Sequence, residues 1–154
     1  MKLTDKLELH KYIDYSECDF PEINLEEKYC IAIGFPANKT KINDMNTVSE
    51  KGIYWTKEAN IDEYTKNSMN RNKYLLLHFD PKKSFDANFK KHQYPKPTGM
   101  SGGGVFAVEK DLGEKSKTML LGILTEYKAG SSRIMIAERT SDFFQILNSI
   151  ISNE

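Results

Sequence analysis

Two cysteines, Cys18 and Cys30, are all that the 154 residues contain, too few for the disulfide framework of a small secreted domain. They flank a proline-containing turn and could be bridged in principle, but nothing else in the chain calls for it, and free thiols in a reducing compartment are expected. Neither sign of charge dominates: 22 basic residues face 22 acidic ones, so there is no overall field to gather nucleic acid or an anionic membrane surface. No apolar run approaches the roughly 18 residues of a membrane span, and no charged-then-apolar leader opens the chain. A cytoplasmic protein without nucleic-acid or membrane partners is the expectation. Repeats, low-complexity tracts and linkers are also missing, which leaves one domain long enough to bury a core without staples. Histidines number three, which bounds the candidate bases. Nothing in the pattern asks for a metal or a cofactor.

Glycine is scarce as well, and its distribution is uneven. Four of the nine glycines fall in Pro97-Thr98-Gly99-Met100-Ser101-Gly102-Gly103-Gly104-Val105-Phe106, around one serine and just before an apolar strand. Glycine tolerates φ > 0 and lets backbone approach a ligand closely. A serine set among glycines can therefore expose its Oγ while neighbouring N–H groups turn towards one point, as an acyl-transfer nucleophile with an oxyanion hole requires. The alternative on the motif alone is a glycine-rich hairpin turn.

The rest of the chain reads as short strands. Residues 1–27 carry weak alternation (Leu3, Leu7, Leu9) and then a polar, aromatic stretch, a strand remnant followed by a loop. Tyr29 to Pro36 is a buried strand stopped by Gly34 and Pro36. Asn38 to Asn43 reads as a polar turn, Thr47 to Thr56 as a second strand broken by Gly52, and Lys57 to Asn72 as a long loop or short surface helix. Tyr74 to Phe79 is the third strand. Lys82 to Thr98 is a lysine-, aromatic- and proline-rich loop, long enough to suggest a purpose beyond connection. Gly104 to Glu109, Thr118 to Tyr127 and Ile134 to Ala137 complete six strands. Thr140-Ser141-Asp142 then caps a helix whose apolar face is Phe143, Phe144, Leu147 and Ile151. The expected fold is all-β with a C-terminal helix: a closed or nearly closed six-stranded antiparallel β-barrel spanning 28–154. Period 2 points Ile31, Ile33, Leu75, Leu77, Val105, Ala107, Leu121, Ile123, Ile134 and Ile136 into its interior.

The order of these parts, a strand ending in Gly34-Phe35-Pro36, a loop-borne Gly99-Met100-Ser101-Gly102-Gly103, a strand with Leu121-Gly122-Ile123, a tight turn, a further strand and a terminal helix, resembles the second, C-terminal β-barrel of trypsin-like serine peptidases. "GFPANKTK", "LLLHFDPKK", "PTGMSGGGVF" and "LLGILTEYK" look like bacterial members of that superfamily, and the likeness covers the chain from about Lys28 to its end. The resemblance implies Ser101 as nucleophile, with the N–H groups of Gly99 and Ser101 as the oxyanion hole. It implies a specificity pocket walled by Pro95, Lys96, Pro97 and Thr98, by Thr125, Glu126 and Tyr127, and by the turn from Ser132 to Ile134. Pro95 stands six residues before the serine, where trypsin-type enzymes hold the acid that selects Arg and Lys, so trypsin specificity is not expected. Met100 stands where animal enzymes carry the aspartate that traps a freed N-terminus, so a constitutive site is expected.

The family's catalytic histidine and aspartate normally sit on a first barrel, and the second barrel's opening strand begins here near Lys28. Within residues 1–27, a remnant of the junction between barrels, His10 precedes the serine as the family's base does, and Asp5 stands as the candidate acid. His78, in an apolar strand, reads as a core or edge histidine, and His92 as a surface one. Two functions follow. The chain is either the serine-bearing half of a serine peptidase, its base brought by an upstream barrel or partner chain, or a catalytically inactive peptidase-like domain that binds a peptide or protein. A second barrel left alone is also expected to bare an apolar flank near Ser101, lined by Phe85, Phe89, Tyr94, Tyr12, Tyr15 and Phe20, which would favour homo-oligomers or a partner chain.

Overall fold

In the computed structural model the residues described are 25, 28–37, 40–43, 46–82, 84–85, 90–91, 96–109, 118–131, 133–141 and 149–150. They form a predominantly antiparallel β structure with little helix. The strands are β1 (Lys28–Gly34), β2 (Thr40–Asn43), β3 (Asn46–Ser49), β4 (Gly52–Thr56), β5 (Tyr74–His78), β6 (Ser84–Phe85), β7 (Gly104–Glu109), β8 (Thr118–Lys128) and β9 (Ile134–Arg139), with helix α1 at Ile61–Lys66. Seven strands make one sheet in the order β5-β9-β8-β7-β1-β4-β6, and β2 and β3 form a separate hairpin.

The six longer strands of the sheet are the six expected from the sequence, and they curl into a half-barrel. The two sides of this curve are tied where the chain leaves β4: Glu58 bridges Leu77, the Ala59 N–H donates to the Leu76 carbonyl at 2.8 Å, and the His78 N–H to that of Lys57 at 3.1 Å. Two local expectations are corrected. Asn38 to Asn43 is not merely a turn, because Thr40–Asn43 pairs with Asn46–Ser49. The second strand divides at Glu50-Lys51, before Gly52 rather than at it. The C-terminal helix expected through Phe143, Phe144, Leu147 and Ile151 lies outside the described residues.

In β1 and β9 the smaller or more flexible side chains turn inward. The interior cluster contains Cys30, Ala32, Tyr54, Leu75, Leu77, Phe79, Met100, Val105, Ala107, Leu121, Leu124, Met135 and Ala137. Ile31 and Ile33 were expected there, but the inner face of β1 is Cys30 and Ala32. Ile31 packs instead with Ile53 and Val108, against Ile33 and Trp55. In β9 the inner face is Met135 and Ala137, while Ile134 and Ile136 pack with Leu76, Ala59 and Tyr64. Both faces of these strands are apolar and covered, so alternation of polarity carries no parity signal. A tightly curved sheet admits small residues on its inside: Cys30 faces Ala107, and Ala137 sits between Leu75 and Leu124. Ile123 is a further correction, 38% exposed where an interior position was expected. A register shift against β7 at Leu121 puts Leu121 and Leu124, three residues apart, on the same side, which strict alternation forbids and a bulge permits.

Helix α1 is short and firmly begun. The Asn60 side chain accepts from the Glu63 N–H at 3.0 Å, and Asp62 and Glu63 in the first turn complement the amide end of the helix. Its buried residue, Tyr64, pins it to the sheet: the hydroxyl accepts from the Leu76 N–H at 2.9 Å and donates to Glu58 Oε1 at 2.9 Å. Arg71 grips the same carboxylate through Nε and Nη2 at 2.9 and 2.7 Å, and Arg139 of β9 reaches Oε1 at 3.1 Å. This four-residue clasp spans the junction of β4, α1, β5 and β9.

Candidate functional site

The serine loop is two consecutive tight turns. The Met100 N–H donates to the Pro97 carbonyl at 3.3 Å and the Gly103 N–H to the Met100 carbonyl at 2.9 Å. Each turn needs φ > 0 at its third residue, and those residues are Gly99 (φ +85°) and Gly102 (φ +87°). Ser101 thus occupies the second, outermost-facing position of its turn, and it is exposed. The loop is then held on both sides. The Ala37 N–H, just past Gly34-Phe35-Pro36, donates to the Thr98 carbonyl at 2.9 Å, while Gly102 N–H bonds to the Leu124 carbonyl and Leu124 N–H to that of Gly103, both at 2.8 Å.

Met100 is the anchor of this loop. Its side chain is 3% exposed within the interior cluster, and an added Cβ at Gly34 would lie 3.0 Å from its terminal methyl. Gly34 and Met100 therefore belong together: the strand-ending glycine leaves the room that the methionine fills. With Met100 turned inward, Ser101 beside it turns outward.

Among the described residues, the N–H groups of Gly99 and Ser101 meet no acceptor, whereas those of Met100, Gly102 and Gly103 are all used. The Ser101 hydroxyl donates to the Thr125 carbonyl at 2.8 Å. Thr125 is the unpaired residue of the β8 bulge, between Leu124 opposite Ala137 and Glu126 opposite Ile136, so its carbonyl is available to the serine. Bulges commonly re-aim groups next to sites in this way. Pro97, Thr98, Gly99, Met100, Ser101, Leu124, Thr125, Glu126, Tyr127 and Met135 line a single cavity of about 170 Å³.

Of the residues expected at the site, Ser101, Gly99, Thr98, Thr125, Glu126 and Tyr127 meet around this cavity. Lys96 lines a neighbouring one that shares Tyr127. Pro95, His10, Asp5 and His92 lie outside the described residues, as do Phe89, Tyr94, Tyr12, Tyr15 and Phe20 of the expected apolar flank. His78 is exposed on β5 opposite Ile134 and lines neither cavity. Sequence reasoning missed Met100, Leu124 and Met135 as lining residues. Leu124 was hidden by the register shift at Leu121, and Met135 by the assignment of its neighbours Ile134 and Ile136 to the interior. The thiol of Cys30 is no rival nucleophile: burial, reinforced by the charge of Glu58, pushes its pKa up to about 12. Among the described residues no cluster of three or more His, Cys, Asp or Glu could hold a metal ion, and no helix is long and apolar enough to cross a membrane.

No known protein-family model matches this chain, and a search of curated proteins likewise finds no match. The site stands on its own geometry.

Proposed function

We propose that this chain is the nucleophile-bearing half of a trypsin-like serine peptidase. The observation that carries the proposal is the pair of unpartnered amides, Gly99 and Ser101, on a turn whose exposed corner is Ser101 and which lines a cavity. In the reaction Ser101 Oγ adds to the peptide carbonyl carbon, the hydroxyl proton passes to a base, and the carbonyl oxygen takes up negative charge facing the two amides. Collapse of this adduct expels the amine, which recovers the proton, and water then hydrolyses the Ser101 ester. An oxyanion donor contributes about 3 kcal/mol to such a transition state. The Thr125 carbonyl that receives the serine hydroxyl is not basic enough to take its proton, so turnover needs an imidazole from outside the described residues, His10 or one on an upstream barrel or a partner chain.

That same hydrogen bond favours a second function, a peptide-binding domain without turnover, in which the Ser101 hydroxyl rests on Thr125 and the cavity holds a ligand. A fluorophosphonate probe on the purified chain separates the two. Mass-spectrometric labelling at Ser101 that vanishes in Ser101→Ala is the expected result for a nucleophile with an oxyanion hole. A hydroxyl no more reactive than the other serines, even with free imidazole added as an external base, would sink the peptidase proposal and leave the binding domain.

A further inference from the structure

Beside the serine cavity lies a second, larger one of about 380 Å³, lined by Phe79, Pro81, Lys96, Tyr127, Ala129, Gly130 and Arg133. Tyr127 belongs to both cavities, so an extended chain lying over Ser101 can reach past that ring. The two are opposite in charge. The charged residue lining the first is Glu126, while those lining the second are Lys96 and Arg133. Neither cation is paired with a carboxylate among the described residues. The aromatic wall is fixed, because Phe79 and Tyr127 meet edge to face with ring centres 5.5 Å apart. Arg133 is held in place at a backbone expense: its φ is +46°, a left-handed value that a non-glycine side chain disfavours. The Phe79 N–H donates to the Arg133 carbonyl at 2.8 Å and secures that conformation. Strained residues of this kind concentrate where a ligand is clamped.

We propose that this second cavity binds a carboxylate of a peptide ligand, and that the chain prefers peptides bearing an acidic group within reach of Tyr127. The proposal deepens the assignment of Ser101 as a peptide-facing nucleophile and rests on it for the peptide, though not for turnover. Lys96 and Arg133 supply the positive field, Phe79 and Tyr127 the apolar walls, and Glu126 repels the same carboxylate from the serine cavity, which fixes the register of the peptide. The carboxylate can belong to an Asp or Glu side chain or to a free C-terminus; the chemistry of recognition is the same.

The test uses fluorescein-labelled pentapeptide mixtures and polarisation at low ionic strength. One arm carries Asp or Glu at a fixed position with both ends blocked, a second carries Asn or Gln there, and a third has neutral side chains and a free C-terminal carboxylate. Binding of an acidic arm about tenfold tighter than the neutral arm is expected from two exposed ion pairs, weakening with salt. The advantage should vanish in the double variant Lys96→Gln/Arg133→Asn, where Asn tolerates the left-handed φ and an unchanged thermal melt certifies the fold. Whether the first or the third arm wins identifies the source of the carboxylate. Equal affinity of acidic and neutral arms, an acidic preference untouched by the double variant, or no binding of any arm overturns the proposal. Fluorophosphonate labelling separates its failure from that of the peptidase assignment: a labelled Ser101 without acidic preference defeats the carboxylate site alone, and acidic preference without labelling defeats the nucleophile alone.

Discussion

The Glu58 clasp and the Ser101 loop are both polar clusters that join distant strands, and they treat their hydrogen-bonding groups in opposite ways. At Glu58 the described polar groups are matched: two arginines and a tyrosine converge on one carboxylate, and the tyrosine oxygen also receives a backbone N–H. Burial alone would raise the carboxyl's pKa, but hydrogen bonds from Arg71 and Tyr64 and the charges of Arg71 and Arg139 outweigh it and hold Glu58 below the ordinary glutamate range. At Ser101 the loop is just as firmly tethered, yet two amides meet no described acceptor and the serine oxygen faces solvent. A saturated cluster serves the fold, while donors held rigid and unmatched are available to something that arrives from outside. Stability and reactivity should therefore respond to mutation in different places.

The largest effect should come from the scaffold of the serine loop. A Cβ added at Gly103 would stand 2.5 Å from the Ile33 carbonyl oxygen and 3.2 Å from Gly34 Cα, backbone atoms that cannot swing aside. Gly103→Ala should lower stability by about 3 kcal/mol, roughly 10 °C in melting temperature, and abolish probe labelling by lifting the loop off β1. A melt within a degree or two of wild type would mean that the loop does not sit against β1 as described.

Next comes the clasp. Glu58→Gln keeps the shape but removes the charge facing Arg71 and Arg139. Because Arg71 is exposed, although the Glu58 side chain itself is only 9% exposed, the expected loss is about 2 kcal/mol at neutral pH, or roughly 5 °C. The sign with pH is fixed by the lowered pKa of Glu58. Its contribution is complete above the unfolded value of about 4.3 and is lost as pH falls through the lower folded value. The melting gap between wild type and Glu58→Gln should therefore be full at pH 7 and close towards pH 3. A gap that persists unchanged at pH 3 would assign the loss to packing instead of charge. Probe labelling of Ser101 should survive this substitution once the protein is folded.

The two regions also differ in how visible they were before the fold was known. The serine loop was legible because its turns need specific residues in sequence, glycines where φ is positive and a serine between them, whereas the packing of Met100 against Gly34 was not. The strand starts at Gly104 and Thr118 were legible for a similar local reason, a break from turn residues to apolar ones. The clasp was not legible at all, since Glu58, Tyr64, Arg71 and Arg139 look like solvated residues until β4, β5 and β9 are brought together. Strand parity failed for a third reason. In Tyr29-Cys30-Ile31-Ala32-Ile33 both faces are apolar, so volume, not polarity, decides which turns inward, and the register shift of β8 against β7 at Leu121 moves the count by one before Ile123 and Leu124.

The smallest effect on stability should fall on Ser101, the nucleophile we propose. Ser101 is exposed, and its one described side-chain bond runs to the Thr125 carbonyl, an acceptor that water can satisfy once the hydroxyl is gone. Ser101→Ala should thus change stability by no more than about 0.5 kcal/mol, with a denaturant midpoint indistinguishable from wild type, while removing all probe labelling at that position. A loss of 2 kcal/mol or more would show that the hydroxyl holds the loop to β8. Ser101 would then belong with Glu58 among the groups that build the structure, and the contrast between the two regions would fail at its central residue.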